Sequence, residues 1–121
     1  MKKNSFILIA VTFLTYNLYS QVANMPPDIE VCDDTGLPMV DLTVNTPIIV
    51  GQQPVNFTVT YHESSSDANA NVNPISNPSA YIVFSNFQTI FARLTDDTNT
   101  NNYDTTSFNV EVFTIPQVMT P

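Results

Sequence analysis

An all-β fold is predicted by three features of this chain. Short runs rich in β-branched and aromatic residues recur along it, turn-forming clusters separate them at close spacing, and no 3.6-residue apolar period lasts three turns. The expected architecture is an immunoglobulin-like or fibronectin-like antiparallel β-sandwich of about seven strands, preceded by a signal peptide. A small jelly roll or open barrel is the alternative.

The leader comes first. Lys2 and Lys3 precede the apolar run 6–14, and Ser20 offers a small residue before a cut at Gln21, so residues 1–20 read as a signal peptide. The run is too short to span a bilayer. The expected location is therefore secreted or cell-surface, with no membrane insertion after cleavage. Residues 21–27 form an entry linker stiffened by Pro26 and Pro27, residues 28–115 the β-sandwich, and residues 116–121 a C-terminal linker. About one hundred residues can build one small core.

Strands are expected at 29–32, 39–44, 48–50, 57–62, 81–84, 89–94 and 107–115. Turns fall at 33–36, 46–47, 51–54, 73–74, 77–78, Asn86 and 96–102, where Asp, Asn, Gly and Pro gather. Residues 66–70 suit one turn of helix, since a capping-type serine precedes small residues. Strand parity assigns the faces. Phe57, Val59 and Tyr61 alternate with Thr58, Thr60 and His62, and Phe108, Val110 and Val112 alternate with Asn109, Glu111 and Phe113. Two sheets packed face to face satisfy that pattern. The segments 89–94 and 107–115 should pair as a hairpin with Ile90, Ala92 and Leu94 on the core face and Arg93 opposite Glu111 outside, unless Arg93 reaches Glu63 or a loop aspartate instead.

Charge excludes two partner classes. The whole chain carries a net charge of −8; without the leader, Arg93 stands alone against 11 Asp and Glu, a net of −10 with His62 neutral. Such a chain repels nucleic acid and anionic lipid. Loop aspartates can still gather calcium, and the candidates are Asp33 and Asp34 in one loop and Asp96, Asp97 and Asp104 in another. Adjacent aspartates point to opposite sides of a strand, so neither pair makes a catalytic acid and base. His62, Glu63 and Ser64 carry the letters of a hydrolase triad but are consecutive, which denies them its geometry. No other cofactor is expected. Phe91 and Phe113 fall on the polar parity of their strands and are read as covered by a neighbouring strand, with a sugar-stacking or partner surface as the alternative. Cys32 is the only cysteine; it is expected to be a buried, unpaired thiol because Ile29 and Val31 lead into it, the alternative being an intermolecular partner.

Several phrases together resemble a known type of module. They are Pro27-Asp28-Ile29-Glu30-Val31-Cys32-Asp33, Asp41-Leu42, Val59-Thr60-Tyr61-His62-Glu63-Ser64 with Asp67-Ala68, Asn73-Pro74-Ile75, Asn77-Pro78-Ser79-Ala80-Tyr81, Gln88-Thr89-Ile90 with Arg93, and Tyr103-Asp104-Thr105-Thr106-Ser107-Phe108. In that order they resemble the repeated β-sandwich modules of large surface and gliding-associated, adhesin-like proteins of Bacteroidetes, cargo of the type IX secretion pathway. The resemblance implies a non-enzymatic extracellular adhesion or structural module, a single repeat or truncated remnant of a larger surface protein. Its partners would be neighbouring modules and a surface glycan or protein ligand. A small secreted carbohydrate-binding accessory domain is the alternative. The resemblance also implies a second cysteine just before the Tyr-Asp-Thr-Thr phrase, clamping Cys32 to the last hairpin; here Asn102 stands in its place. The acidic loop after Cys32 is short as well, and the tail from Ile115 resembles a linker with no sorting domain behind it.

Mass spectrometry of the secreted or surface fraction is expected to show a mature terminus at Gln21. Intact Met1 in a soluble cytoplasmic pool would refute export through this leader.

Overall fold

A computed structural model describes residues 21–53 and 56–114. The leader, the strand end at Ile115 and the linker at 116–121 lie outside the described residues. The described residues are mostly β, with six strands in two sheets: β1 (Ile29–Asp33), β2 (Met39–Val40), β3 (Phe57–His62), β4 (Tyr81–Ile82), β5 (Phe87–Asp96) and β6 (Tyr103–Thr114). A four-stranded sheet runs in the order β1-β6-β5-β3, and β2 pairs with β4 in a two-stranded ribbon.

The hairpin of β5 and β6 organises the larger sheet. It is antiparallel as predicted, with Ile90 opposite Phe108 and Leu94 opposite Asp104. Ile90, Ala92, Leu94, Phe108 and Val110 all lie buried on the expected core face. Apolar alternation set this face because a slip of one residue would turn the whole set toward water. β3 adds antiparallel to β5, bringing Tyr61 opposite Ala92. β1 adds parallel to β6, with Ile29 beside Val110 and Cys32 beside Phe113. The sheet is therefore mixed rather than wholly antiparallel.

Two of the expected strands turn out otherwise, and a third, 81–84, stops at Ile82. Residues 48–50 are not a strand: they end a short helix, α1 (Thr46–Val50), which has Pro in its first positions and Gly51 at its end. Proline suits a first helical turn because it has no N–H to leave unpaired. Gly51 sits at φ 61, a conformation that favours glycine, and an added Cβ would also have to displace the Asn24 amide from 2.5 Å. The expected strand 39–44 stops at Val40, and Leu42–Asn45 forms a 3-10 turn whose start is capped by Asp41, which accepts from Thr43 N–H. These two turns and the β2-β4 ribbon cover the core face. Val40, Leu42, Ile49, Tyr81 and Val83 pack there against Tyr61, Ile90, Leu94 and Phe108. Tyr61 meets Phe108 edge to face at 6.2 Å, and its hydroxyl lies 2.6 Å from Thr46 Oγ1. Burial raises the Tyr61 phenol above its ordinary pKa.

The opposite sheet face is half covered. Helix α2 (Ser65–Ala70) forms where the sequence suggests one turn of helix: Ser64 accepts from Asp67 N–H at its start, and Asn71 closes it at φ 54. It packs on β3 and β5. Arg93 corrects an expectation here. It stands opposite Thr105, six residues along β6 from Glu111 and hence about 20 Å away. It is 5% exposed, not on an open surface. Its Nη1 donates to the carbonyls of Ala68 (3.0 Å) and Asn69 (2.9 Å), its Nε to Thr95 Oγ1 (3.0 Å), and its guanidinium lies 3.6 Å from the Tyr103 ring centroid. The cation thus replaces the missing donors at the carbonyl end of α2, where the helix dipole is negative, instead of joining a carboxylate.

Replacing Arg93 by Met should remove that cap and strand two carbonyls. A loss of about 2–4 kcal/mol is expected in urea unfolding. Arg93→Lys should recover only part of it, because an ammonium cannot reproduce the planar fork. An unchanged midpoint in both variants would show that α2 does not depend on this contact.

Candidate functional site

The expected acidic sites are built for turns. Asp33 closes an Asx turn after β1: its Oδ1 accepts from Thr35 N–H and hydroxyl, and its Oδ2 from Gly36 N–H, each at 2.8 Å. Those bonds, Thr35 N–H first, hold its carboxyl below the ordinary range. Asp96 does the same in the β5-β6 loop, accepting from the Thr98 hydroxyl (2.6 Å) and N–H (2.8 Å) and from Gln21 Nε2. The Thr98 hydroxyl leads in lowering its pKa. Asp97 accepts from Thr58 Oγ1, and Asp104 from Ala23 N–H at 2.8 Å, which ties the segment before β1 to β6. Asp34 is exposed.

These carboxylates are not brought together. Asp33 pairs in register with Thr114, and Asp104 opens β6 ten residues earlier, so the two acidic loops lie at opposite ends of the sheet, about 33 Å apart. Among the described residues no group of three or more His, Cys, Asp or Glu converges as a metal site would require.

The residues with hydrolase letters have structural tasks. His62 is fully buried between the Val72 carbonyl, 2.8 Å from Nδ1, and Thr60 Oγ1, 2.9 Å from Nε2. The carbonyl can only accept, which puts the ring proton on Nδ1. Ser64 caps α2, and Glu63 Oε1 accepts from the Tyr81 hydroxyl at 2.7 Å. Gln88 Nε2 donates to the same hydroxyl. Burial first, and the Glu63 carboxylate next, push the Tyr81 phenol up to about 12. Glu63 and Tyr81 form one wall of a groove of about 400 Å³ that also takes in Asn73, Ile75, Asn77, Ile82 and Phe84. Phe84 is 81% exposed, beyond either aromatic singled out from strand parity. Phe91 is half-buried and Phe113 exposed, so the covered reading does not hold for Phe113.

Cys32 is the largest correction. The thiol is exposed, not buried. It lies on the outer face of an edge strand, because Ile29, Val31 and Asp33 take the side shared with Val110 and Val112, leaving Glu30 and Cys32 the other. That parity was readable: a glutamate two residues before the cysteine marks the wet face. The clamp to the last hairpin that the resemblance implies, already without its second cysteine here, is also geometrically closed. Cys32 sits beside Phe113, eleven residues along β6 from position 102, so the two sites are about 36 Å apart, far beyond the roughly 7 Å Cα limit for a disulfide. A cysteine at either position must look outside the domain for a partner.

Among the described residues no helix is long and apolar enough to cross a membrane. Residues 28–116 match the family described as the Flavobacterium inter-domain disulphide bond domain. No curated protein and no solved structure matches the chain.

Stability should depend on pH in two windows. Asp33 and Asp96 have folded pKa values below the unfolded value of about 3.9, so their contribution is present above that pH and is lost as pH falls through the folded values. Tyr81 works in reverse: its contribution is whole below about pH 10 and lost as pH rises through about 12. Thermal melts across pH should show both limbs, with Asp33→Asn plus Asp96→Asn shrinking the acid limb and Tyr81→Phe the alkaline one. Limbs unmoved by these substitutions would assign them to other groups.

Proposed function

We propose that this chain, which belongs to the Flavobacterium inter-domain disulphide bond domain family, is a non-enzymatic extracellular module tethered covalently to a neighbouring domain through Cys32. The observation that carries the reading is the exposed thiol on the outer face of edge strand β1, in a chain whose single cysteine has no internal partner. Secretion or cell-surface display, on which a lasting disulfide depends, is supported by the leader at 1–20. The module serves an adhesion or structural role in a surface protein of the type IX cargo kind. An immunoglobulin-like sandwich is supported by the division of strands: β3, β5 and β6 lie together as strands C, F and G do in that fold, and β2 pairs with β4 as B does with E. The non-enzymatic reading is supported by the tasks of His62, Glu63 and Ser64, whose polar atoms are engaged in holding the fold.

A carbohydrate-binding accessory domain is the second reading, favoured by the groove beside Phe84, where an exposed ring adjoins Glu63, Asn73 and Asn77. Retention on immobilised polysaccharide that Phe84→Ala abolishes would support it.

The tether is tested on non-reducing gels of the surface fraction. A higher-mass adduct that collapses on reduction is expected, with Cys32 in a mixed disulfide by peptide mass mapping. Cys32→Ser should abolish it. A free thiol at Cys32 throughout the surface pool would end the tether reading.

A further inference from the structure

The outer face of the four-stranded sheet falls into three rows beyond the edge of α2, and they differ sharply. In the first, Asp28, Asn109 and Thr89 satisfy one another: Asn109 N–H donates to Asp28 at 2.8 Å and Thr89 Oγ1 to Asn109 Oδ1 at 2.9 Å. In the second, register sets Glu30 directly beside Glu111, which stands opposite Phe87. In the third, Cys32 lies beside Phe113.

The second row is unbalanced. Neighbouring strands run about 4.8 Å apart, so two carboxylates stand side by side, an arrangement that weakens a sheet. No hydrogen bond among the described residues reaches either one. The described residues hold a single Lys or Arg, Arg93, and it is buried under α2 some six residues up the strand. Phe87 and Phe113, diagonal neighbours about 7 Å apart, are 55% and 49% exposed. Apolar rings around an uncompensated like-charge pair are poor as a solvated surface and good as half of an interface.

We propose that Glu30, Glu111, Phe87 and Phe113 form the footprint of a partner protein domain that sets an Arg or Lys between the glutamates and an apolar side chain on the rings. The proposal rests on the tether at Cys32, which this footprint adjoins, and it names the partner's chemistry: a cysteine flanked by a cation and an apolar residue. Charge argues against a second copy, whose described residues would bring two more glutamates and no exposed cation, Arg93 being buried. The covalent step is thiol–disulfide exchange: the Cys32 thiolate attacks one sulfur of a disulfide, a new S–S bond forms, and the other sulfur leaves as thiolate, with no net oxidation.

The test uses the reduced chain lacking its leader and three small disulfides as probes: cationic cystamine, neutral hydroxyethyl disulfide and anionic dithiodiglycolate. Each rate at low salt is divided by that for mercaptoethanol with the same probe. Cystamine should exceed dithiodiglycolate by about tenfold, and added salt should shrink the ratio. The ratio should fall most of the way to one in Glu30→Gln plus Glu111→Gln, yet persist in Glu63→Gln plus Asp67→Asn, which removes equal charge elsewhere. The cationic disulfide of Phe-Cys amide should outpace cystamine on the native chain and lose that lead in Phe113→Ser. Equal ratios in the two double variants would overturn the footprint while leaving the tether standing. Exchange that runs past the mixed disulfide to a Cys32–Cys32 dimer would overturn it in favour of self-association, and a thiol inert to every probe would remove the tether as well.

Discussion

The register of the β5-β6 hairpin is the constraint on which the rest depends. Once Ile90 faces Phe108, every residue on both strands has a side and a height. Tyr61 and β3 are then placed by Ala92, and Ile29 and β1 by Val110. The same register lifts Arg93 under α2 and leaves Glu111 to stand beside Glu30. A slip of one residue would bury Arg93 in the apolar core and expose Leu94, so hydrophobic patterning and the cap on α2 enforce the same pairing.

Much of this was legible in the sequence and some was not. Long alternating runs such as 87–96 and 103–114 announce both their type and their buried face, since each adds a further vote for one parity. Short runs do not: Ile48, Ile49 and Val50 suit strand or helix equally in composition, and only Pro47 before them and Gly51 after them spoke for a helical turn. Parity places Arg93 on the outer side of the sheet but settles neither its partner, since an even-numbered slip leaves every face unchanged, nor whether another element covers that side. One turn of helix at 66–70 is legible in the sequence, but the seat of α2 over β3 and β5 is a long-range fact that no local pattern encodes. At Cys32 the apolar neighbours Ile29 and Val31 mislead, because they occupy the other face of the strand.

Much of the acidic composition has an explanation in the fold. Asp33, Asp41 and Asp96 each accept from backbone N–H groups and so terminate or begin elements, Asp28 and Asp104 extend the strand ladder from its margins, and Glu63 orients a buried phenol. Carboxylates here do the work that main-chain partners do in longer elements. Glu30 and Glu111 have no such internal partner, and unlike Asp34 and Asp67, which also lack one, they stand side by side on neighbouring strands.

The parallel pairing of β1 with β6 gives the module a directional response to force. A pull entering before Ile29 and leaving past Thr114 drags the two strands along each other, so the rungs between them must give way together. A pull entering through the sulfur of Cys32 meets β6 at Phe113, at the same end of the ladder, and peels the rungs one after another from there. A domain held by its backbone would therefore resist stretching, whereas one held by its thiol would yield at the edge while β3, β5 and the buried arginine stay in place.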